Sequence, residues 1–125
     1  MDEATFKRRT KDVALRVINL VDALPNSRAA DVIGRQLLRS ATSIGANYRA
    51  ACRSRSSADM ISKLSIVEEE ADETLYWLDL LVESKKITGS RVAPLAKEVH
   101  EIVSMTVTSI KTLRSRPIQN PKSKI

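Results

Sequence analysis

Between Ser57 and Lys86 the apolar residues fall on two faces of a single helix, and any fold that contains this segment must cover it twice. Projected at about 100° per residue, Met60, Leu64, Val67, Ala71, Leu75, Leu78 and Val82 form one line with i, i+4, i+7 spacing. Ile66, Trp77 and Leu80 lie opposite, with Tyr76 at their margin and Glu69 and Glu73 between them. The first line is a core face. The second has little depth to hide in, because the chain has only 125 residues, and it predicts a contact with another subunit.

The preceding segment is divided differently. From Arg28 to Arg53 the same projection gathers Arg28, Arg35, Arg39, Arg49 and Arg53 within about 40° of one line, with Ile33, Leu37, Ile44, Tyr48 and Ala51 on the other side. A basic stripe therefore faces outward from a helix whose other side is core. Arg53-Ser54-Arg55-Ser56 separates the two segments, and Ser56 or Ser57 can cap the later one, with Asp59 suited to its positive end. A turn this short makes the two helices antiparallel neighbours.

Two further helices complete the pattern. The first spans about Thr5 to Leu24, with Phe6, Val13, Val17, Leu20 and Leu24 recurring at spacings of three, four and seven; Pro25 and Asn26 stop it, and Ser27 caps the next. Lys85 and Lys86 suit the C-terminus of the third helix before Thr88-Gly89-Ser90. The last starts near Arg91, places Pro94 in its first turn and repeats Leu95, Val99, Ile102, Thr106, Ile110 and Leu113. The expectation is an all-α protein: an antiparallel up-down four-helix bundle over residues 1–115, followed by a flexible basic tail over 116–125. Gly45, inside the second helix among Ser43, Ala46 and Ala50, reads as a packing notch or as a hinge.

Composition excludes more than it assigns. One cysteine, Cys52, forbids an internal disulfide and fits a reducing cytoplasm, where it reads as a small packed residue. No apolar run is long enough to span a membrane, and the N-terminal residues are charged rather than signal-like. His100 is the only histidine, so neither a histidine-based metal set nor a Ser-His-Asp arrangement can be assembled. Phosphate-cradling glycine loops are absent, and Glu68, Glu69, Glu70, Asp72 and Glu73 lack the histidine partner that a di-iron bundle uses. No catalytic residue, cofactor or metal is expected. The net charge of +6 is uneven: the third helix is acidic, while the second helix and the C-terminal region are basic.

The stretch LPNSRAADVIGRQLLRSATSIGANYRAACRSRSSADMISKLSIVEEEADETLYWLDLL resembles the bacterial four-helix-bundle family of proteins encoded in intervening sequences of large-subunit ribosomal RNA genes, related to the accessory protein of diversity-generating retroelements. The resemblance covers about Phe6 to Leu113. It implies an up-down bundle that assembles as a homopentamer, with a reverse transcriptase and nucleic acid as partners. Family members often carry a proline where Gly45 stands and an acidic residue followed by glycine near Arg49 and Ala50, so this surface is more basic than the family pattern.

Two classes of function fit these features. One is a non-enzymatic nucleic-acid-binding oligomer, in which Arg28, Arg35, Arg39, Arg49, Arg53 and Arg55 contact phosphates of RNA or DNA and Lys111, Arg114, Arg116, Lys122 and Lys124 add a second basic zone. With few aromatic residues, backbone contacts to structured RNA or duplex DNA are expected rather than stacking on bases. The other is a protein-interaction scaffold whose arginine stripe pairs with the acidic third helix of the same or a neighbouring subunit. In both, Ile66, Trp77, Leu80 and Tyr76 form the oligomer contact.

Overall fold

The computed structural model describes residues 2–116 and contains four helices: α1 (Glu3–Asp22), α2 (Arg28–Cys52), α3 (Ser57–Glu83) and α4 (Gly89–Ser115). Among the described residues there is no strand. Consecutive helices pack side by side, α1 closes more sparsely onto α4, and the backbones of the diagonal pairs α1/α3 and α2/α4 stay more than 8 Å apart at their Cα atoms. Neighbouring helices alternate in direction, as the expected up-down bundle requires: Thr10 of α1 lies against Gly45 of α2, whereas Val21, at the other end of α1, lies against Gly34. Of the expected basic tail, only Arg116 falls within the described residues.

Each start follows from its cap. Asp2 accepts from the Thr5 amide at 2.7 Å, Ser27 from Ala30 at 3.0 Å and Ser56 from Asp59 at 3.0 Å. The Asp2 cap starts α1 two residues before the expected Thr5. At the other end of α1, Ala23 closes the helix at Asp22, two residues before the expected Leu24. Helix α3 stops at Glu83 instead of reaching Lys86. Lys85 adopts a left-handed backbone (φ 62°), its amide bonds to the Val82 carbonyl and that of Lys86 to the Leu81 carbonyl, both at 2.9 Å. This is a Schellman stop with lysine in the position usually held by glycine. Helix α4 begins at Gly89, which moves Pro94 from the expected first turn into the second. Its exposed ring is tolerated there because the Ser90 carbonyl left without a partner is open to water.

The core runs through the middle of the bundle. Phe6, Val13 and Val17 from α1, Leu37 and Ile44 from α2, Leu64, Val67, Leu78 and Leu81 from α3, and Val99 and Ile102 from α4 are essentially excluded from water. Phe6 meets Tyr48 edge to face, ring centroids 4.4 Å apart. Every helix also buries one serine or threonine hydroxyl. Thr10, Ser40, Thr74 and Thr106 bond back to the carbonyls of Phe6, Leu37, Glu70 and Ile102, which satisfies them within their own helices. Thr74 and Ser40 also meet across α2/α3 at 2.9 Å. Gly45 is a notch: a methyl group there would come within 3.3 Å of Thr10 Oγ1.

Candidate nucleic-acid interface

The arginine stripe of α2 is exposed along its length, yet its members do not share one environment. Arg35 pairs with Asp31 one turn earlier at 2.7 Å. Arg39 reaches across to α3, where Nη1 lies 3.2 Å from Glu70 and Nη2 binds Glu73; its Nε donates to Gln36 at 3.2 Å. Trp77 Nε1 donates to the same Glu73 carboxylate at 2.9 Å. That indole bond, followed by Arg39, holds the Glu73 carboxyl below the usual carboxylate range, and Glu73 in turn raises the Arg39 guanidinium. The middle of the stripe is thus neutralised within the chain. Arg28, Arg49, Arg53 and Arg55 have no ion-pair partner among the described residues.

Topology decides where the unpaired cations gather. In an alternating bundle the C-termini of α2 and α4 share an end with the N-termini of α1 and α3. Arg49, Arg53 and Arg55 therefore occupy the same end as Lys111, Arg114 and Arg116, all exposed and without ion pairs among the described residues. Arg28 sits at the opposite end. The run Lys7-Arg8-Arg9-Thr10-Lys11 adds charge to the basic end, a signal present in the sequence but overlooked beside the longer stripe of α2. Arg9 turns inward and grips Glu98 through Nε and Nη2, at 2.8 and 2.7 Å, and Glu101 at 2.8 Å, tying α1 to α4. Lys7 pairs with Glu3 at 2.8 Å, which leaves Arg8 and Lys11 unpaired among the described residues. The acids Asp79 and Glu83 of α3 lie towards the other end, where Arg28, Lys85, Lys86 and Arg91 also lie, so net positive charge is concentrated at the first end.

The remaining expected contact residues lie elsewhere. Ile66 and Leu80 are half-buried on α3, Tyr76 is 58% exposed, and Trp77 packs partly against the core. Aromatic faces are absent from the described part of the basic end, since Phe6 and Tyr48 are buried and Tyr76 and Trp77 lie on the later half of α3. Cys52 is half-buried, and burial pushes its thiol up, away from the reactive thiolate. Among the described residues no cluster of His, Cys, Asp or Glu could hold a metal ion, and no helix is long and apolar enough to cross a membrane.

A model of the 23S rRNA-intervening sequence protein family matches residues 3–108. Among solved structures, the chain is similar to a protein of unknown function from the S23 ribosomal protein family of Bacteroides thetaiotaomicron VPI-5482. The two share 39% identity over 89% of this chain and 99% of that one, with a TM-score of 0.82. Comparison with curated proteins gives no match.

Proposed function

We propose that this chain, which belongs to the 23S rRNA-intervening sequence protein family, is a non-enzymatic oligomeric protein of the cytoplasm that binds the backbone of structured RNA or duplex DNA. The observation that carries the reading is the gathering, at one end of the bundle, of cations from α2 and α4 that have no ion-pair partner among the described residues. Phosphate neutralisation by Arg53, Arg55, Lys111, Arg114 and Arg116 is independent of sequence and releases counterions, so affinity falls steeply with salt. Without exposed aromatic faces in the described part of that end, stacking on unpaired bases contributes little. Arg35 and Arg39 are given a structural role, because binding a phosphate would require them to abandon carboxylates they already hold.

Self-association through Ile66, Trp77, Leu80 and Tyr76 completes the reading. Repeating a weak basic end in one assembly supplies avidity without any new contact. The experiment is a salt titration of binding to a short RNA duplex, a DNA duplex and a single strand, followed by fluorescence anisotropy. The quadruple variant Arg53→Gln, Arg55→Gln, Arg114→Gln, Arg116→Gln is expected to weaken binding and to reduce the log–log salt slope, by roughly 0.9 for each phosphate of duplex DNA that is no longer neutralised. Absence of binding at low salt, or an unchanged slope in the variant, overturns it.

A further inference from the structure

The groove between α1 and α2 has a floor of small side chains and a rim of cations. It encloses about 480 Å³, with Ala14, Thr42, Gly45 and Ala46 along its walls and Lys7, Arg8, Lys11 and Arg49 around it. No acid is found among the described residues that line it. Lys7 is held by Glu3, whereas Arg8, Lys11 and Arg49 have no ion-pair partner among the described residues. On α1 the line of Ala4, Arg8 and Lys11 continues at helical spacing to Leu15 and Ile18, which are 44% and 39% exposed. From Ala4 to Ile18 is about 21 Å of helix, cationic over its first half and apolar over its second.

Each feature narrows the occupant. A phosphate backbone gains from the cations but nothing from methyl groups, so nucleic acid would leave the apolar half uncovered. A bilayer is flat and would rest on Leu15 and Ile18 without reaching the half-buried Gly45. An extended peptide must find partners for its backbone amides and carbonyls, and the groove supplies few. The Thr10 hydroxyl is already committed to the Phe6 and Lys7 carbonyls, and that of Thr42 to the Leu38 and Arg39 carbonyls. A helix satisfies its own backbone, and the small side chains of this floor let one approach closely.

We infer that the α1/α2 groove docks an acidic amphipathic helix of a partner protein, its apolar line on the small-residue floor and its carboxylates against Lys11 and Arg49. The apolar line runs on over Leu15 and Ile18, so the acids are concentrated at the end of the helix that meets the cations. The site is separate from the phosphate contacts of Arg53, Arg55, Lys111, Arg114 and Arg116, and none of the α3 residues assigned to self-association lines it. It gives Arg49 a protein partner on the side of the bundle, while nucleic acid is held at its end.

The test uses a fluorescein-labelled helical peptide of about 18 residues, with leucine and alanine along one line and glutamates flanking that line at one end. Its binding is followed by anisotropy beside a shuffled peptide of the same composition, which keeps the charge and loses the line. The patterned peptide is expected to bind at least about tenfold more tightly than the shuffled one. Lys11→Glu with Arg49→Glu, and separately Ala46→Phe, which fills the floor at unchanged charge, are each expected to weaken its binding about tenfold or more. Ala46, Lys11 and Arg49 are exposed, so both variants are expected to melt close to the wild type. The affinity of Ala46→Phe for an RNA duplex, and its sedimentation, are expected to match the wild type. Equal binding of the two peptides, or equal binding of the patterned peptide by wild type and Ala46→Phe, overturns the inference. So does loss of RNA binding in Ala46→Phe, which would assign the groove to nucleic acid, and so does altered self-association, which would assign it to another copy of the chain.

Discussion

Replacing Arg39 by glutamine separates the arginine that bridges α2 and α3 from those of the stripe without an ion pair among the described residues. The guanidinium bridges Glu70 and Glu73, and the three side chains retain 47%, 19% and 36% of their exposure. Exposed pairs contribute about 0.2–1 kcal/mol each, so losing two costs roughly 0.5–1.5 kcal/mol. Leaving the better-buried Glu70 without a partner brings the total to about 1–2 kcal/mol. For a domain of this length that is a fall in Tm of roughly 4–8 °C. Arg53→Gln, which breaks no ion pair among the described residues, is expected to stay within about 0.5 kcal/mol of wild type. Urea unfolding followed by circular dichroism measures both. Trp77 is the only tryptophan and bonds the same Glu73, so its emission reports locally on the node: it is expected to change in Arg39→Gln and not in Arg53→Gln. Strong salt should narrow the difference between the variants. Equal stabilities, or a tryptophan spectrum indifferent to Arg39, would refute the view that the middle of the stripe is structural.

Glu98 is only one-fifth exposed and is gripped by Arg9, whose hydrogen bonds hold its carboxyl below the usual range. A carboxylate depressed on folding contributes stability above its unfolded value near 4.5 that is lost as pH falls through its lower folded value, so Glu98→Gln should flatten the acid limb of Tm against pH below about 4.5. Lys85→Gly relieves a left-handed backbone without removing a side-chain bond and is expected to raise stability by about 0.5–1 kcal/mol in urea unfolding. Gly34→Ala would meet only the flexible end of Leu24 at 3.2 Å and the Val21 side chain at 3.4 Å, so the helix-propensity gain of up to about 1 kcal/mol should largely be kept. Gly45→Ala would press on Thr10, which two carbonyl bonds hold in place, and the same melting assay should show the gain cancelled or reversed.

The bundle was legible in the sequence because burial in a helix leaves a period. Val13 and Val17, Leu37 and Ile44, Leu64 and Val67, and Val99 and Ile102 are core residues that spacing alone identifies. Helix ends were legible where a capping side chain marks them, at Ser27 and Ser56, and misplaced where they depend on something else. Asp2 reads as one more charge in a charged N-terminus, and the α3 stop uses lysine in a conformation whose usual marker is glycine. Projection of one helix also cannot assign an acid on another, so five arginines on a line look equivalent.

The antiparallel turn removes that equivalence. Because α3 runs back along α2 from Ser57, the last turns of α2 face the start of α3, and the middle of α2 faces the middle of α3. The start of α3 carries Asp59 and Lys63, which nearly cancel, whereas its middle concentrates Glu70 and Glu73. Arg39 therefore meets two carboxylates, while Arg49, Arg53 and Arg55 meet none among the described residues. The order of charges along α3, read backwards, selects which part of the stripe is neutralised and which part remains available to a partner. Moving one acid, by Glu73→Ser with Ser62→Glu, should shift that availability towards Arg39 at unchanged net charge. Nucleic-acid affinity should fall if the basic end is the contact. It should hold or rise if the middle of the stripe is, and that result would move the site.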